Sequence, residues 1–215
     1  MSTKPTEAMN NKAIKYGIGV VALALVGYNS IYIQPLDQKL AENQQTVFNA
    51  KAYVDGIWNQ DLSKAYQDCT DISQLIDSFN QDVNSTFEKN SHALGIGNIG
   101  YFRVKGEGIV SAVNENNVLL QVGSSIIEIE TEFIFGNALR DASGLVKIND
   151  YEDTADFNSI SEALNDRIRQ EVIPSFRSKV KEGDSVKFEG AIELNKVHLN
   201  LDQLEVIPFT LQISS

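Results

Sequence analysis

Near residue 101 the apolar residues of this chain stop recurring at intervals of three and four and begin to alternate, which divides it into a helical part and a strand part. Before the switch, Tyr53, Val54, Ile57, Trp58 and Leu62 share one face of a helix that starts near Asn49. Ile72, Leu75, Ile76, Phe79, Val83 and Phe87 form a second stripe behind Asp71-Ile72-Ser73-Gln74, which has capping-box form. These two helices are expected to pack as a helical hairpin. After the switch, strands are expected at 101–105, 108–113, 117–122 and 126–133, with Asn114-Glu115-Asn116 as a polar turn. A further helix is expected from Asn158 or Ser159, where Ser159-Ile160-Ser161-Glu162 repeats the capping pattern and Ile160, Leu164, Ile168 and Val172 recur every fourth residue. Pro174 should kink or end it. Strands at 185–194, 197–201 and 204–213 complete the pattern, with Pro208 suited to an edge. Strands, one helix, then strands is the order of a small OB-like antiparallel β-barrel with one inserted helix. The expected class is α+β.

The first 35 residues constrain location. From Tyr16 to Leu36 there are 21 residues without a charge, and the apolar stretch 16–33 would span about 27 Å as a helix, close to the hydrocarbon thickness of a bilayer. Lys4, Lys12 and Lys15 against the single acid Glu7 favour a cytoplasmic flank. The organisation read from the sequence is a cytoplasmic flank at 1–15, a transmembrane anchor or signal segment at 16–33, a helical stalk and hairpin at 34–100, and an OB-like domain at 101–215. This places a single-pass protein in the inner membrane with its folded part on the periplasmic side. A cleaved signal peptide fits the same pattern, with Ala22-Leu23-Ala24 as a cleavage site. Leu25-Val26-Gly27-Tyr28 has the form of a lipoprotein box in which tyrosine replaces the cysteine that would carry lipid.

Charge and composition exclude several functions. The chain carries a net charge of −11, and removal of its basic flank leaves the remainder more acidic, so nucleic acid is not an expected partner. Cys69 is the only cysteine, which rules out an intrachain disulfide. His92 and His198 are the only histidines and have no helical partner or neighbouring cysteine, so no metal site is expected. No Gly-x-Ser-x-Gly elbow is present, and no catalytic residue is assigned. Gly95-Ile96-Gly97-Asn98-Ile99-Gly100 matches the dinucleotide fingerprint in letters, but a helix precedes it and a strand follows, the reverse of what a nucleotide needs. No cofactor is expected. Glu128, Glu130 and Glu132 alternate along one strand and suit a solvated outer face better than a calcium site.

Five short segments in order resemble one bacterial family: 52–58 (AYVDGIW), 104–108 (VKGEG), 136–142 (GNALRDA), 148–151 (INDY), and 161–165 (SEALN) running on to 169–172 (RQEV). Together they are similar to the predicted periplasmic lipoproteins of domain of unknown function 2291, across roughly residues 36–213. The resemblance implies an envelope-facing protein, often encoded beside sugar ABC-transport components, with no established activity. Tyr28 departs from the lipoprotein description.

From the residues themselves, the polar, irregular stretch 135–151 is the candidate for ligand or partner binding, through Asn137, Arg140, Asp141, Asn149 and Asp150. Arg140 offers five fixed donors to a carboxylate or to sugar hydroxyls, and Asp141 would orient it. An internal Arg–Asp clamp that fixes the loop is the competing reading of the same pair. The expected function is that of a membrane-anchored, non-catalytic accessory or binding protein, with a small sugar as candidate ligand and with transporter components as partners implied by the resemblance alone. The alternative is a hydrolase or transferase acting on envelope carbohydrate.

Overall fold

The computed structural model describes residues 11–30, 48–93 and 97–214, and the chain divides into a unit at 1–47 and a compact unit at 48–215. In the first unit a helix, α1 (Asn11–Ser30), carries exposed Ile18, Val20 and Leu23. Among the described residues no helix is long and apolar enough to cross a membrane. The expected span runs on to residues 31–33 and the expected stalk begins at 34; residues 31–47 lie outside the described residues.

The second unit opens with α2 (Ala50–Ile57), whose N-cap is Asn49: its side-chain oxygen accepts the Ala52 N–H at 2.9 Å. A π-helical turn, Trp58–Leu62, joins α2 to α3 (Ser63–Gln67). A two-residue strand, β1 (Thr70–Asp71), then lies parallel to Val104–Lys105. Asp71 caps α4 (Ile72–Gln81) through the N–H groups of Ser73 and Gln74, as its position before an apolar stripe requires. The stripe does not continue as one helix. Asp82, with φ −155° and ψ 103°, ends α4 and caps α5 (Val83–Asn90).

Residues 101–105 and 108–113, expected as two strands, belong to one, β2 (Ile99–Val113), bulged between Val110 and Ala112. β3 (Asn117–Val122) and β4 (Ser125–Glu130) follow as a meander. Then come α6 (Ala138–Ser143), a 3-10 turn at Ile148–Asp150 and α7 (Thr154–Arg167). The cap of α7 is Asp153 rather than Ser159, because Asp153 accepts the Ala155 N–H while the Ser159 hydroxyl bonds back to Asp156 within the helix. A second π turn, Ile168–Val172, leads into α8 (Ile173–Arg177). Pro174 supplies no N–H and crowds the preceding turn, and the wider π geometry accommodates it without ending the helical run. β5 (Ser185–Asn195) and β6 (Leu204–Ser214) complete the sheet. Residues 197–201 form no strand; Asn195 and Asn200 fold them into side-chain turns, and Leu199 and Leu201 pack on the barrel core.

Strand order is β1-β2-β3-β4-β6-β5, and β5 pairs back with β2, which closes five strands into a barrel with β1 at its rim. The sheet is mixed rather than antiparallel, because β4 and β6 run parallel, as do β1 and β2. β2 closes the barrel because it is long enough to pair β5 through residues 99–109 and β3 through residues 109–113. Tight passages occur at Gly106, where a Cβ would lie 2.7 Å from the Phe188 ring, and at Gly190, where it would lie 2.4 Å from the Ile207 carbonyl. Gly190 faces Pro208 at a bulge, beyond the end of the β4–β6 pairing, so Pro208 occupies a local edge inside the sheet.

Two cores result. The barrel interior, with Phe102, Val104, Leu120, Ile127, Val186 and Phe188, is continuous with Ile72, Leu75 and Phe79 of α4, Phe87 of α5, and Phe176 and Val180 from the end of the α7–α8 run. The second core lies outside the barrel, where Val54, Leu62 and Tyr66 meet α6, α7 and the outward residues Ala191, Ile207 and Phe209 of β5 and β6. The expected helical hairpin is therefore absent: α2–α3 and α4–α5 enter different cores. β1 lies between them and fixes the chain to β2. Alternation along β2 supports both, since Phe102 and Val104 point inward while Arg103 and Lys105 point outward and donate to the Ala65 and Gln67 carbonyls at the end of α3.

Candidate functional site

The segment after β4 is held at almost every residue. Thr131 and Glu132 donate their N–H groups to the Asn116 carbonyl, and the Phe133 N–H bonds Glu130 Oε2 at 3.2 Å. Ile134 is fully buried in the second core. From α7, the Asn165 amide donates to the Gly136 carbonyl at 2.9 Å, and the Arg169 guanidinium in the following turn donates to the Ile134 carbonyl. Gly136, with φ +82°, permits the reversal that leads into α6. With Ile134 pinned inward, its neighbours must point out. Phe133 is 49 % and Phe135 63 % exposed, and their ring centroids lie 6.0 Å apart.

Hollows flank this aromatic pair. One, of about 460 Å³, is lined by Phe135, Gly136 and Asn137 and by Asn158, Ser161, Glu162, Asn165 and Arg169 of the α7 run. Ser161 is 8 % exposed, and its hydroxyl has no hydrogen-bond partner among the described residues. A buried hydroxyl without a partner is rare and costly. The other hollow, of about 330 Å³, lies between Phe133, Phe135 and Asn137 on one side and Glu193, Glu205 and Ile207 on the other.

The residues singled out by the sequence separate in space. Asn137 lines both hollows. Arg140 and Asp141 lie in the buried helix α6 at 1 % and 4 % exposure, out of reach of a dissolved ligand. Their geometry is that of the clamp. Arg140 donates to both Asp141 oxygens at 2.7 and 3.2 Å and to the Phe157 carbonyl at 3.0 Å, and its guanidinium lies 3.5 Å over the Phe157 ring. It thereby ties α6 to α7. Asn149 and Asp150 are exposed in the 3-10 turn and line neither hollow. Of the alternating glutamates, Glu128 accepts from Asn117 and Gln203, Glu130 is buried and holds the Phe133 N–H, and Glu132 is exposed. No group of three or more His, Cys, Asp or Glu side chains able to hold a metal occurs among the described residues. Cys69 is half-buried, and burial pushes its thiol up to about 11, so it stays protonated at neutral pH.

Phe133, Phe135, Ser161, Glu193 and Glu205 did not emerge from the sequence. For the aromatics a signal exists: Phe-Ile-Phe directly after a strand cannot turn all three side chains to one core. Ser161 and the two glutamates carry no local signal.

The carboxylates beside the second hollow are electrostatically stressed. Burial raises Glu205, and Glu128 and Glu193 raise it further; burial also raises Glu130, opposed by its bond from Phe133 and assisted by Glu205 and Glu128. A carboxyl raised in the folded state costs stability when ionised. That cost is present at neutral pH, fades as pH falls through the raised folded value, and is gone below the ordinary value of 4.5. Glu205→Gln is therefore expected to raise the thermal midpoint at pH 7, with a gain over wild type that shrinks between pH 7 and pH 4.5. Melting curves across that range check this, and a constant gain would contradict the electrostatic origin.

Strand order, parallel β4–β6 pairing and the helical run between β4 and β5 define an α+β protein built on an OB-fold barrel. A solved OB-fold protein from Thermotoga maritima superposes with a TM-score of 0.71 at 22 % identity, over 79 % of this chain and 100 % of that one, a likeness of fold. No curated protein matches the chain. The family model described as "Predicted periplasmic lipoprotein (DUF2291)" matches residues 21–212, and the chain belongs to that family. The family description agrees with an extracytoplasmic folded part. Its lipoprotein element meets Tyr28 where a lipobox would carry cysteine.

Proposed function

We propose that the chain is a non-catalytic binding protein of the cell envelope, held at the inner membrane by its N-terminal apolar segment, that serves a sugar-type ABC uptake system by taking a small uncharged polyhydroxy ligand in the Ser161 hollow. The observation that carries this reading is the buried Ser161 hydroxyl without a partner, beside the Phe135 ring and a mixed set of donors and acceptors. Hydroxyl groups both donate and accept and so suit such a set. An anion would meet Glu162, and a cation would meet Arg169. The volume lies in the range of small-molecule sites. Support for the anchor is the lysine-rich flank and the uncharged run that continues past Ser30 to residue 36.

Calorimetric titration with glucose, galactose, xylose, ribose and inositol tests the binding. Removal of an unpaired buried hydroxyl relieves a cost of about 1–3 kcal/mol, so Ser161→Ala is expected to be at least as stable as wild type while binding its sugar about tenfold more weakly. Phe135→Ala should weaken binding without loss of stability. No heat of binding from any of the five at millimolar concentration overturns the reading. The full chain is expected to stay with native membranes through a carbonate wash.

A catalytic reading, hydrolysis of envelope carbohydrate, draws on Glu205, whose raised carboxyl stands near Glu193 beside the aromatic pair. Glycan turnover that disappears in Glu205→Gln would favour it over binding alone.

A further inference from the structure

A row of carboxylates crosses the outer face of the barrel on the Phe133 side of the loop, away from the Ser161 hollow. Parallel register places Glu128 of β4 against Glu205 of β6. The antiparallel register that pairs Ala191 with Ile207 brings Glu193 of β5 opposite Glu205 two residues further on. Like charges on neighbouring strands repel one another. Glu128 is hydrogen-bonded by two amides, but Glu193 and Glu205 make no ion pair and no side-chain hydrogen bond among the described residues. Beside them stand the half-exposed Phe133 ring, the more exposed Phe135 ring and the edge of Ile207. The loop that presents these rings is fixed from beneath by Asn165 and Arg169, so the apolar surface persists in the free protein.

A rigid pair of exposed aromatic rings is an interaction surface, and the adjoining charge selects its occupant. Anionic lipid headgroups and acidic proteins are repelled by the glutamate row. A cationic side chain meets two carboxylates that lack partners and two exposed aromatic rings, both favourable to it. We propose that this face docks a positively charged segment of another protein, whose Lys or Arg side chains lie along Glu193, Glu205 and Glu128 and whose apolar residues pack on Phe133 and Phe135. The repulsion within the row, a cost to the free protein, is relieved when the partner is bound. The proposal shares the Phe135 ring with the Ser161 hollow but rests on Phe133 and on carboxylates that do not line that hollow, so it would survive the failure of that reading.

The test uses the full chain in its native envelope, with a photoreactive phenylalanine analogue in place of Phe133 and the adduct mapped by mass spectrometry after irradiation. The expected product is a crosslink to a protein segment of net positive charge. Its yield should fall about tenfold when Glu193→Gln and Glu205→Gln are combined, as for two lost surface charge pairs. The yield should be unchanged when Glu88→Gln and Glu182→Gln, two exposed positions elsewhere, remove the same total charge. The Glu193/Glu205 variant is expected to melt no lower than wild type, which separates lost docking from lost folding. Adducts to lipid, glycan, or a neutral or acidic segment overturn the proposal, as do an absent adduct or equal losses in the two charge variants.

Discussion

Arg140→Ala is expected to destabilise the protein by about 3–5 kcal/mol, the usual cost of breaking a buried ion pair by removing one partner. Both side chains of the pair are 1 % exposed, so the substitution strands the Asp141 carboxylate in a dry interior with no counter-ion. It also removes the donor to the Phe157 carbonyl and the guanidinium stacked on the Phe157 ring, and so separates α6 from α7. Removal of both charges at once should be far milder. Arg140→Met combined with Asp141→Leu leaves no orphan charge and fills a similar volume, and such replacements in other proteins are often close to neutral. Urea denaturation of the single and double variants measures the contrast. The double variant should also keep ligand affinity within a few-fold, because neither residue lines the hollow beside Ser161. Wild-type stability in Arg140→Ala would refute the clamp.

Phe102→Ala is expected to cost a similar amount, about 3–5 kcal/mol, by a different mechanism. Phe102 is 1 % exposed and forms a three-ring cluster with Phe79 of α4 and Phe87 of α5, at centroid distances of 5.4 and 5.1 Å. Truncation opens a cavity where the two helices meet the barrel, and the remaining rings cannot close it without shifting both. Hydrogen exchange should therefore accelerate in α4 and α5 before it does in α2 and α7, which rest on the other core. Phe135→Ala is the internal comparison, with the same atoms removed from a 63 % exposed site, and should change stability by no more than about 0.5 kcal/mol. Equal effects at the two positions would mean that burial of Phe102 against α4 and α5 is not what stabilises it.

Much of the chain was legible because its signals are local. Asn49 and Asp71 cap helices where their side chains stand before an apolar stripe, and alternation from Tyr101 onward marks the strands β2, β3 and β4. The order of strands around one helical run sufficed to indicate an OB-like barrel. Local signals failed where competing local partners were equally good. Asp153 took the cap expected of Ser159, and Asp82 divided a stripe that looked continuous. In residues 197–201, asparagine turns displaced a strand. At Arg140 and Asp141 the sequence left two readings open, a binding pair and an internal clamp. A polar Arg-Asp pair in an irregular stretch has the composition of a binding loop, and only the packing of Phe157 above it makes it interior.

The sequence by itself determined the period of each segment, the Asp71 cap, its acidic charge and its family. These depend on neighbours a few residues apart, and a helix or strand displays its apolar face wherever it is placed. Tertiary structure alone decided which apolar faces meet: α2–α3 on the outside of β5 and β6, α4–α5 with the barrel interior, β4 beside β6 in parallel. It alone aligned Glu128, Glu193 and Glu205 and left the Ser161 hydroxyl unpaired. Contacts between residues so far apart in the chain are fixed by closure of the β2–β5 pairing, and no periodicity within either strand specifies its partner.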